Sequence, residues 1–477
     1  MTAQLLSAWE PVFERIRAEG IRRVRIAWAD QHGVSRAKVV PTALFPKLVG
    51  EGLRSNVGTL LGDSAGKIII NPFSSGGGFG RAEMTGAPDL VIRPDPQTFR
   101  VLPWAAQTGW VTGDMFFTTG EPLPYSSRGQ LRGAIDAATA TGVSAIVGVE
   151  LEFHLTRNVA QARTIGLPGE PGTAGSVVPT NSGYQHQSEA DLDEVSEFLD
   201  VLQDNLEALN FPVRTIESEL GPSQFELSLD VLPALEGGDA SFLLKNAAKM
   251  IAKRHGYHIT FMARPGIPGF FSSGWHLHMS MVDQTGRNLF VPDDDKLLSR
   301  YGRHFTNGVL IHAREGALLS NSTVTGYKRL RPNSLAPDRL CWGADNRGAM
   351  VRVTGERADG STHIENRIGD TAANGYLYIA GQILAGLDGV ARGEEPPSPT
   401  EVPYETEATR LPTSLAEAVR EFENSEFFRK AMGEEFVRFY AAHKRSEAER
   451  FERSDLGRTD EPDAVSEWEQ REYFDLY

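Results

Sequence analysis

Hydrophobic and polar positions follow two different periods along the chain, and each period predicts a different kind of element. Residues 3–19 carry apolar side chains at helical spacing and read as a short amphipathic helix. Residues 23–30 and 34–40 are β-like runs on either side of a Gln-His-Gly turn. Residues 87–104 hold further extended pieces, interrupted by Pro88, Pro94 and Pro96. Up to about residue 118 the pattern predicts a small sheet-rich domain. Pro122, Pro124, Ser126 and Ser127 then mark a boundary before a helix at 128–141. Helical spacing recurs at 188–210, 240–256, 372–387 and 414–444, with strand-like runs between several of these segments. Residues 161–180 are rich in Gly, Pro, Ser and Thr and predict a long loop. The run SSGGGFG (74–80) lacks the Gly-Lys-Ser/Thr of a phosphate loop and reads as a turn.

Several strand-like runs keep reactive side chains to one face. In AIVGVELEFHLT (145–156), Val147, Val149, Leu151, Phe153 and Leu155 point one way, and Glu150, Glu152 and His154 the other. Same-face carboxylates two residues apart sit about 6.6 Å from each other on an extended strand, close enough to serve neighbouring metal ions. WHLHMSM (275–281) likewise sets His276, His278 and Ser280 against Trp275, Leu277, Met279 and Met281. QFELSL (224–229) sets Gln224, Glu226 and Ser228 against Phe225, Leu227 and Leu229. His363, Glu365 and Arg367 alternate with Ile364 and Asn366. A solvated sheet face carries Lys and Thr as filler, whereas these faces carry Glu, His and Arg. Carboxylate-rich sets with one imidazole suit Mg²⁺ or Mn²⁺ better than zinc. Arg329, Arg347, Arg352 and Arg367 fall within 39 residues and suit a polyanion such as a nucleoside triphosphate.

Composition narrows the function classes. The 477 residues are 40% hydrophobic and 23% charged, which is globular, and a chain of this length buries a large core without staples. Cys341 is the only cysteine, so there is no disulfide framework and no cysteine-based zinc cage, and a reducing compartment is expected. The net charge of −15 argues against non-specific binding to nucleic-acid phosphates. Glu10 and Glu14 precede any long apolar run, and no stretch approaches the roughly 20 apolar residues of a membrane span. A cytoplasmic protein with neither nucleic acid nor membrane as partner is expected.

Taken in order, DPQTFRVLPW, VGVELEF, ESELGPSQFEL, GWHLHMS, YKRLRPNSLAP, NRGAMVR and HIENRIGDTAANGYL resemble the motifs of the glutamine synthetase family, type I-like, over about residues 20–476. The resemblance implies an α+β fold. An N-terminal β-grasp domain (1–118) would precede a catalytic domain (119–477) built on an antiparallel sheet with flanking helices. It also implies a homo-oligomer of stacked rings, a dodecamer, with sites between subunits. By the same resemblance, Glu152, Glu219 and Glu226 hold one divalent ion and Glu150, His276 and Glu365 another, so each site takes two or more Mg²⁺ or Mn²⁺. His278 and Ser280 match nucleotide contacts, and Arg347 and Arg352 match the arginines at the phosphates of ATP. Arg329 and Arg367 match the clamp on L-glutamate, with His276 beside them. The four arginines make up the implied catalytic set. The implied chemistry is activation of a carboxylate by ATP as an acyl phosphate, followed by attack of an amine.

The departures from the family pattern bear on the amine. Ammonia-using members carry a Glu just before Ala-Pro in the segment after Tyr-Lys-Arg; here Ser334-Leu335-Ala336-Pro337 puts Leu335 in that place. The family's Asp-Gly-Ser-Ser segment is also missing, and the corresponding region reads SNVGTLLGDSAG (55–66), where the spacing of Asp63 does not match. Ammonium needs carboxylates to bind and deprotonate it. A Leu favours an amine with an apolar body, each buried CH₂ contributing about 0.8 kcal/mol. The chain is therefore expected to be an ATP-dependent ligase joining the γ-carboxylate of L-glutamate to an alkyl or aromatic monoamine, with Leu335 in the amine pocket. In character it stands nearest to γ-glutamylamide and γ-glutamylpolyamine synthetases. The alternatives are an ammonia-using glutamine synthetase, a γ-glutamylpolyamine synthetase, a ligase for another acid, and a non-catalytic structural member. Phe271 and His363 also depart from the family, at an Asn and an Arg. The aromatic tail carrying Trp468, Tyr473, Phe474 and Tyr477 is expected at an interface.

Overall fold

The computed structural model describes residues 3–160, 164–292, 294–356, 358–461 and 463–477. Two sheets organise it. The smaller runs in the order Ser35–Pro41, Arg23–Ala29, Thr108–Phe117, Asp89–Pro94, Leu53–Asn56, with Arg100–Val101 also paired to Thr108–Phe117. The expected hairpin closes where the Asp30 carboxylate accepts from the His32 and Val34 amides and Gly33 adopts φ +77°. This turn lies against Asn374, whose side-chain amide donates to the Asp30 and Gln31 carbonyls. Asn374 also caps helix Gly375–Arg392, so the small sheet is tied directly to the larger unit.

The larger sheet is centred on Val143–Asn158, a 16-residue strand. Its order is Trp342–Ala344, Val351–Thr354, His363–Asn366, Trp275–Asp283, Val143–Asn158, Gln224–Leu229, Val213–Ser218. Three short strands, Val177–Pro179, Leu232–Pro233 and Tyr257–Thr260, also pair with the central one. Every pairing here is antiparallel except that of Trp342–Ala344 with Val351–Thr354. The apolar side chains Val147, Val149, Leu151, Phe153 and Leu155 are all buried, as their alternation predicts. Helices Ser127–Ala140 and Ala234–Arg254 cover this side of the central strand. The fold is α+β, as expected.

Three helical expectations needed correction. The 188–210 segment breaks into Glu189–Asp193 and Ser196–Ala208. The 414–444 segment is three helices, Leu415–Asn424, Glu426–Met432 and Glu434–Arg453, divided by the capping Ser425 and by Gly433 at φ +89°. Helix Ala234–Arg254 begins earlier than 240, because Gly237 and Gly238 are sites of close approach rather than breaks. A Cβ on Gly237 would lie 2.4 Å from Val147, and one on Gly238 2.7 Å from Leu131. Helices Arg300–Ile311 and Ala313–Ser320 were missed in the sequence although both segregate polar from apolar positions; Arg303, His304, Thr306 and Asn307 of the first are buried. The run 74–80 is a tight turn in which Gly76 and Gly77 adopt left-handed conformations, φ +68° and +61°. In the 161–180 loop, 161–163 lie outside the described residues and only Val177–Pro179 is regular. Among the described residues no helix is long and apolar enough to cross a membrane.

Candidate active site

Register brings the polar alternations together. Glu226 stands opposite Glu152, His276 opposite Glu150, and Glu365 opposite both His278 and Arg352. Directly opposed residues share a face, so one sheet surface collects them all. His276 Nδ1 hydrogen-bonds Glu150 Oε1, and His278 Nε2 lies 3.0 Å from Glu150 Oε2. His276 Nε2 is 3.8 Å from Glu152, and its Nδ1 is 3.8 Å from Glu365. Among the described residues, three groups bring potential ligand atoms within 4.8 Å of one another: Glu150, His276 and Glu365; Glu152, Glu226 and His276; Glu217, Glu219 and Glu226. Gly148 makes room for the imidazoles, because a Cβ there would lie 3.1 Å from that of His278.

The electrostatics follow from crowding acids under a sheet. Burial, reinforced by the charge of Glu219, pushes Glu152 up to about 8. Burial and the neighbouring Glu150 and Glu152 raise Glu226 far above the carboxylate range. Glu150 goes the other way: burial opposes its charge, but His276 and His278 hold it well below its usual value. Burial, with Arg367 beside it, lowers His276 to about 4. His276 is therefore neutral near pH 7, with Nδ1 facing Glu150 and Glu365 and Nε2 facing Glu152. Neutral imidazole plus several crowded carboxylates is a donor set that a hard divalent cation fits, since its charge relieves the repulsion that raises Glu152 and Glu226.

Arginines border this cluster. Arg329 is buried and donates to the Arg367 and Ile368 carbonyls at 3.1 and 3.2 Å, with Nη2 3.5 Å from His276 Nε2. Gly274 permits this, for a Cβ there would meet Arg329 at 2.5 Å and His276 at 2.8 Å. Arg367 donates from Nη1 to Glu365, from Nε to the Arg347 carbonyl at 2.9 Å, and from Nη2 to the Leu335 carbonyl at 3.4 Å. Arg352 bridges Glu365, at 2.8 Å, and Asp345. Arg347 is exposed; its carbonyl accepts from Arg367, and Arg352, helped by the charge of Arg347, holds Asp345 below the usual carboxylate range. Ser280 lies two residues past His278 on the same face and is half-buried.

Of the residues that depart from the family pattern, Leu335 and His363 touch the cluster directly. Leu335 has φ +58° and is 61% exposed, its carbonyl held by Arg367. Phe271 packs edge-on against Tyr184, with ring centroids 5.7 Å apart. Tyr184 is fixed beside Glu219 by its amide, which donates to Leu220, and by its hydroxyl, which donates to Gly269. His363 Nε2 is 2.8 Å from His278 Nδ1. Asp63 is buried and paired with Arg450 at 2.8 Å. Two residues of the cluster were missed in the sequence. Glu217 alternates with Glu219 in RTIESEL, a usable signal, whereas Asp345 lies in an irregular loop that offered none.

A carboxylate and imidazole cluster ringed by arginines on an antiparallel sheet defines a class of enzyme that handles polyanions with divalent cations. Residues 124–470 match the family model described as glutamine synthetase, catalytic domain. The chain belongs to the glutamine synthetase family. It is 40% identical to a gamma-glutamylanilide synthase of Acinetobacter sp, covering 98% of this chain and 96% of that protein. It is 32% identical to a glutamate–isopropylamine ligase of Pseudomonas sp, covering 90% and 92% respectively. A glutamine synthetase of Methanosarcina mazei is 30% identical, over 92% of this chain and 93% of that one. A solved structure of a GmaS/ADP complex superposes with a TM-score of 0.78 at 27% identity, covering 96% of this chain and 98% of that one.

Proposed function

We propose that this protein is an ATP-dependent ligase that joins the γ-carboxylate of L-glutamate to an alkyl or aromatic monoamine. The observation that carries the amine preference is Leu335: an exposed apolar side chain stands where ammonia-using relatives place an acid, and its carbonyl is held by Arg367 at the edge of the cluster. The apolar pair of Phe271 and Tyr184 near Glu219 supports the same preference. So do relatives named for anilide and isopropylamide synthesis.

In the proposed reaction a γ-carboxylate oxygen of glutamate attacks the terminal phosphorus of ATP and ADP leaves. The amine nitrogen then attacks the carbonyl carbon of the resulting γ-glutamyl phosphate, the bond from that carbon to the phosphate oxygen breaks, and the nitrogen gives up a proton. Arg329 and Arg367 hold the glutamate beside His276, while Arg347 and Arg352 meet the phosphates and His278 and Ser280 the nucleotide. Glu152, Glu219 and Glu226 would hold one divalent cation and Glu150, His276 and Glu365 another, Mg²⁺ or Mn²⁺. When bound, these ions neutralise phosphate charge. The same reading includes a domain division near residue 118, a cytoplasmic location and stacked rings of twelve subunits with sites between neighbours.

The test is ATP-dependent phosphate release with glutamate and a panel of ammonia, alkylamines, aniline, ethanolamine and polyamines. A monoamine is expected to give the highest kcat/KM. Turnover with ammonia that matches or exceeds every amine sinks the proposal.

A further inference from the structure

The C-terminal segment folds back onto the turn that delivers Arg329. That turn contains helix Val324–Tyr327, four residues long and too short to hold its own shape. Helix Glu467–Tyr473 lies against it. Glu469 is fully buried and accepts at four points. Its Oε2 takes the Lys328 ammonium at 2.6 Å and the Ser466 amide and hydroxyl, each at 2.7 Å. Its Oε1 takes the Thr325 hydroxyl at 3.1 Å. Lys328 also donates to the Ala464 carbonyl at 2.6 Å. Four residues on, the Tyr473 hydroxyl accepts from the Val324 amide at 3.2 Å and donates to Glu447. Glu447 is itself buried and paired with Lys444 at 3.1 Å. The turn is thus gripped at Val324, Thr325 and Lys328, and the next residue is Arg329.

We propose that helix Glu467–Tyr473 is a clamp on the 324–329 turn, and that Glu469 and Tyr473 are positioning residues that set the place of the Arg329 guanidinium and hence the affinity for glutamate. This rests on the reading of Arg329 as part of the glutamate clamp. The physical reason is that a buried ion pair has alternatives only at high cost, because breaking it strands a charge out of water. Lys328 therefore has one position, and Arg329 inherits it.

Glu469→Gln and Tyr473→Phe each loosen the clamp while keeping side-chain shape, and both are made in the full-length enzyme. The glutamate KM is expected to rise about tenfold, with the ATP KM held within about twofold. Amide hydrogen exchange should speed up within residues 323–335 and stay unchanged elsewhere, and Glu469→Asp should recover part of the affinity. An unchanged glutamate KM in both variants overturns the proposal. A parallel rise of both KM values, or exchange accelerated throughout the chain, overturns it too by assigning the network to global stability. Should Glu469→Gln fail to fold, Tyr473→Phe is judged by the same outcomes. Arg329→Lys separates the two readings: if it leaves the glutamate KM unchanged, the assignment of Arg329 fails, and exchange in 323–335 still decides the clamp.

Discussion

The proposed amine preference turns on one side chain, Leu335. Ammonium is a small, strongly hydrated cation whose capture and deprotonation call for carboxylates, and the side chain at this position has none to offer. Leu335→Glu is expected to raise the ratio of kcat/KM for ammonia to that for the best monoamine by at least about tenfold, since restoring one charge-assisted hydrogen bond is worth about 1.5–3 kcal/mol. An unchanged ratio in a steady-state competition would remove Leu335 from the argument. Glu226 permits a test independent of turnover. Mn²⁺ bound only by the folded state stabilises it by about 2.7 kcal/mol at a hundred times its Kd, so the wild-type Tm should climb with Mn²⁺. Glu226→Gln should lose most of that climb in the same titration, because two of the three ligand groups share this residue. At this scale Glu152, Glu226, His276 and Glu365 were legible as alternating polar positions. Asp345 was not, for a loop carries no period.

At the scale of elements, register turned four separate patterns into one surface. A slip of one residue between Val143–Asn158 and Trp275–Asp283 would move His276 and His278 to the apolar side. The buried side chains behind the strand, Val147 to Leu155, resist that slip. Behind the sheet, helices Arg300–Ile311 and Gly375–Arg392 meet backbone to backbone at two glycines. A Cβ on Gly308 would lie 2.1 Å from the Ala385 carbonyl oxygen, and one on Gly389 2.2 Å from that of His304. Gly308→Ala is therefore expected to cost about 3 kcal/mol through overpacking, read as a lowered urea midpoint. A midpoint within error of wild type would mean the helices can separate freely. The first of these helices was missed in the sequence although its polar and apolar residues segregate. The second was legible through its long apolar run, interrupted only by Gln382 and Asp388 before Arg392.

For the whole molecule, buried polar contacts join the N-terminal sheet region to the long C-terminal helix Glu434–Arg453. Arg450 and Ser446 reach Asp63, at 2.8 and 2.9 Å, and His443 Nε2 faces the Leu60 carbonyl at 2.9 Å. Burial lowers His443 to about 4, with backbone contacts at Phe439 and Leu60 and the charges of Lys444 and Asp63 acting on it. The unfolded chain takes up this proton first, near pH 6.5, so the contribution is complete above that value and is lost as pH falls toward 4. Between pH 7 and 5 the wild type should lose about 2 kcal/mol more than His443→Asn in urea unfolding, and equal losses would refute the assignment. The aromatic tail belongs to this scale too. Trp468, Tyr473, Phe474 and Tyr477 are buried within the one chain, so their burial does not require a neighbouring subunit.

What the sequence alone determined was the chemistry available: strand alternation separated acids and imidazoles from apolar side chains, and the motif order and Leu335 pointed to a ligase with an altered amine. Those are local properties, carried by residue type and a period of two. Only the tertiary structure decided which carboxylates share a cation-sized space and that residues 466–473 grip the turn before Arg329. These depend on register and on contacts between residues far apart in sequence, Glu150 with His276 and Lys328 with Glu469 among them, and no local period records such contacts.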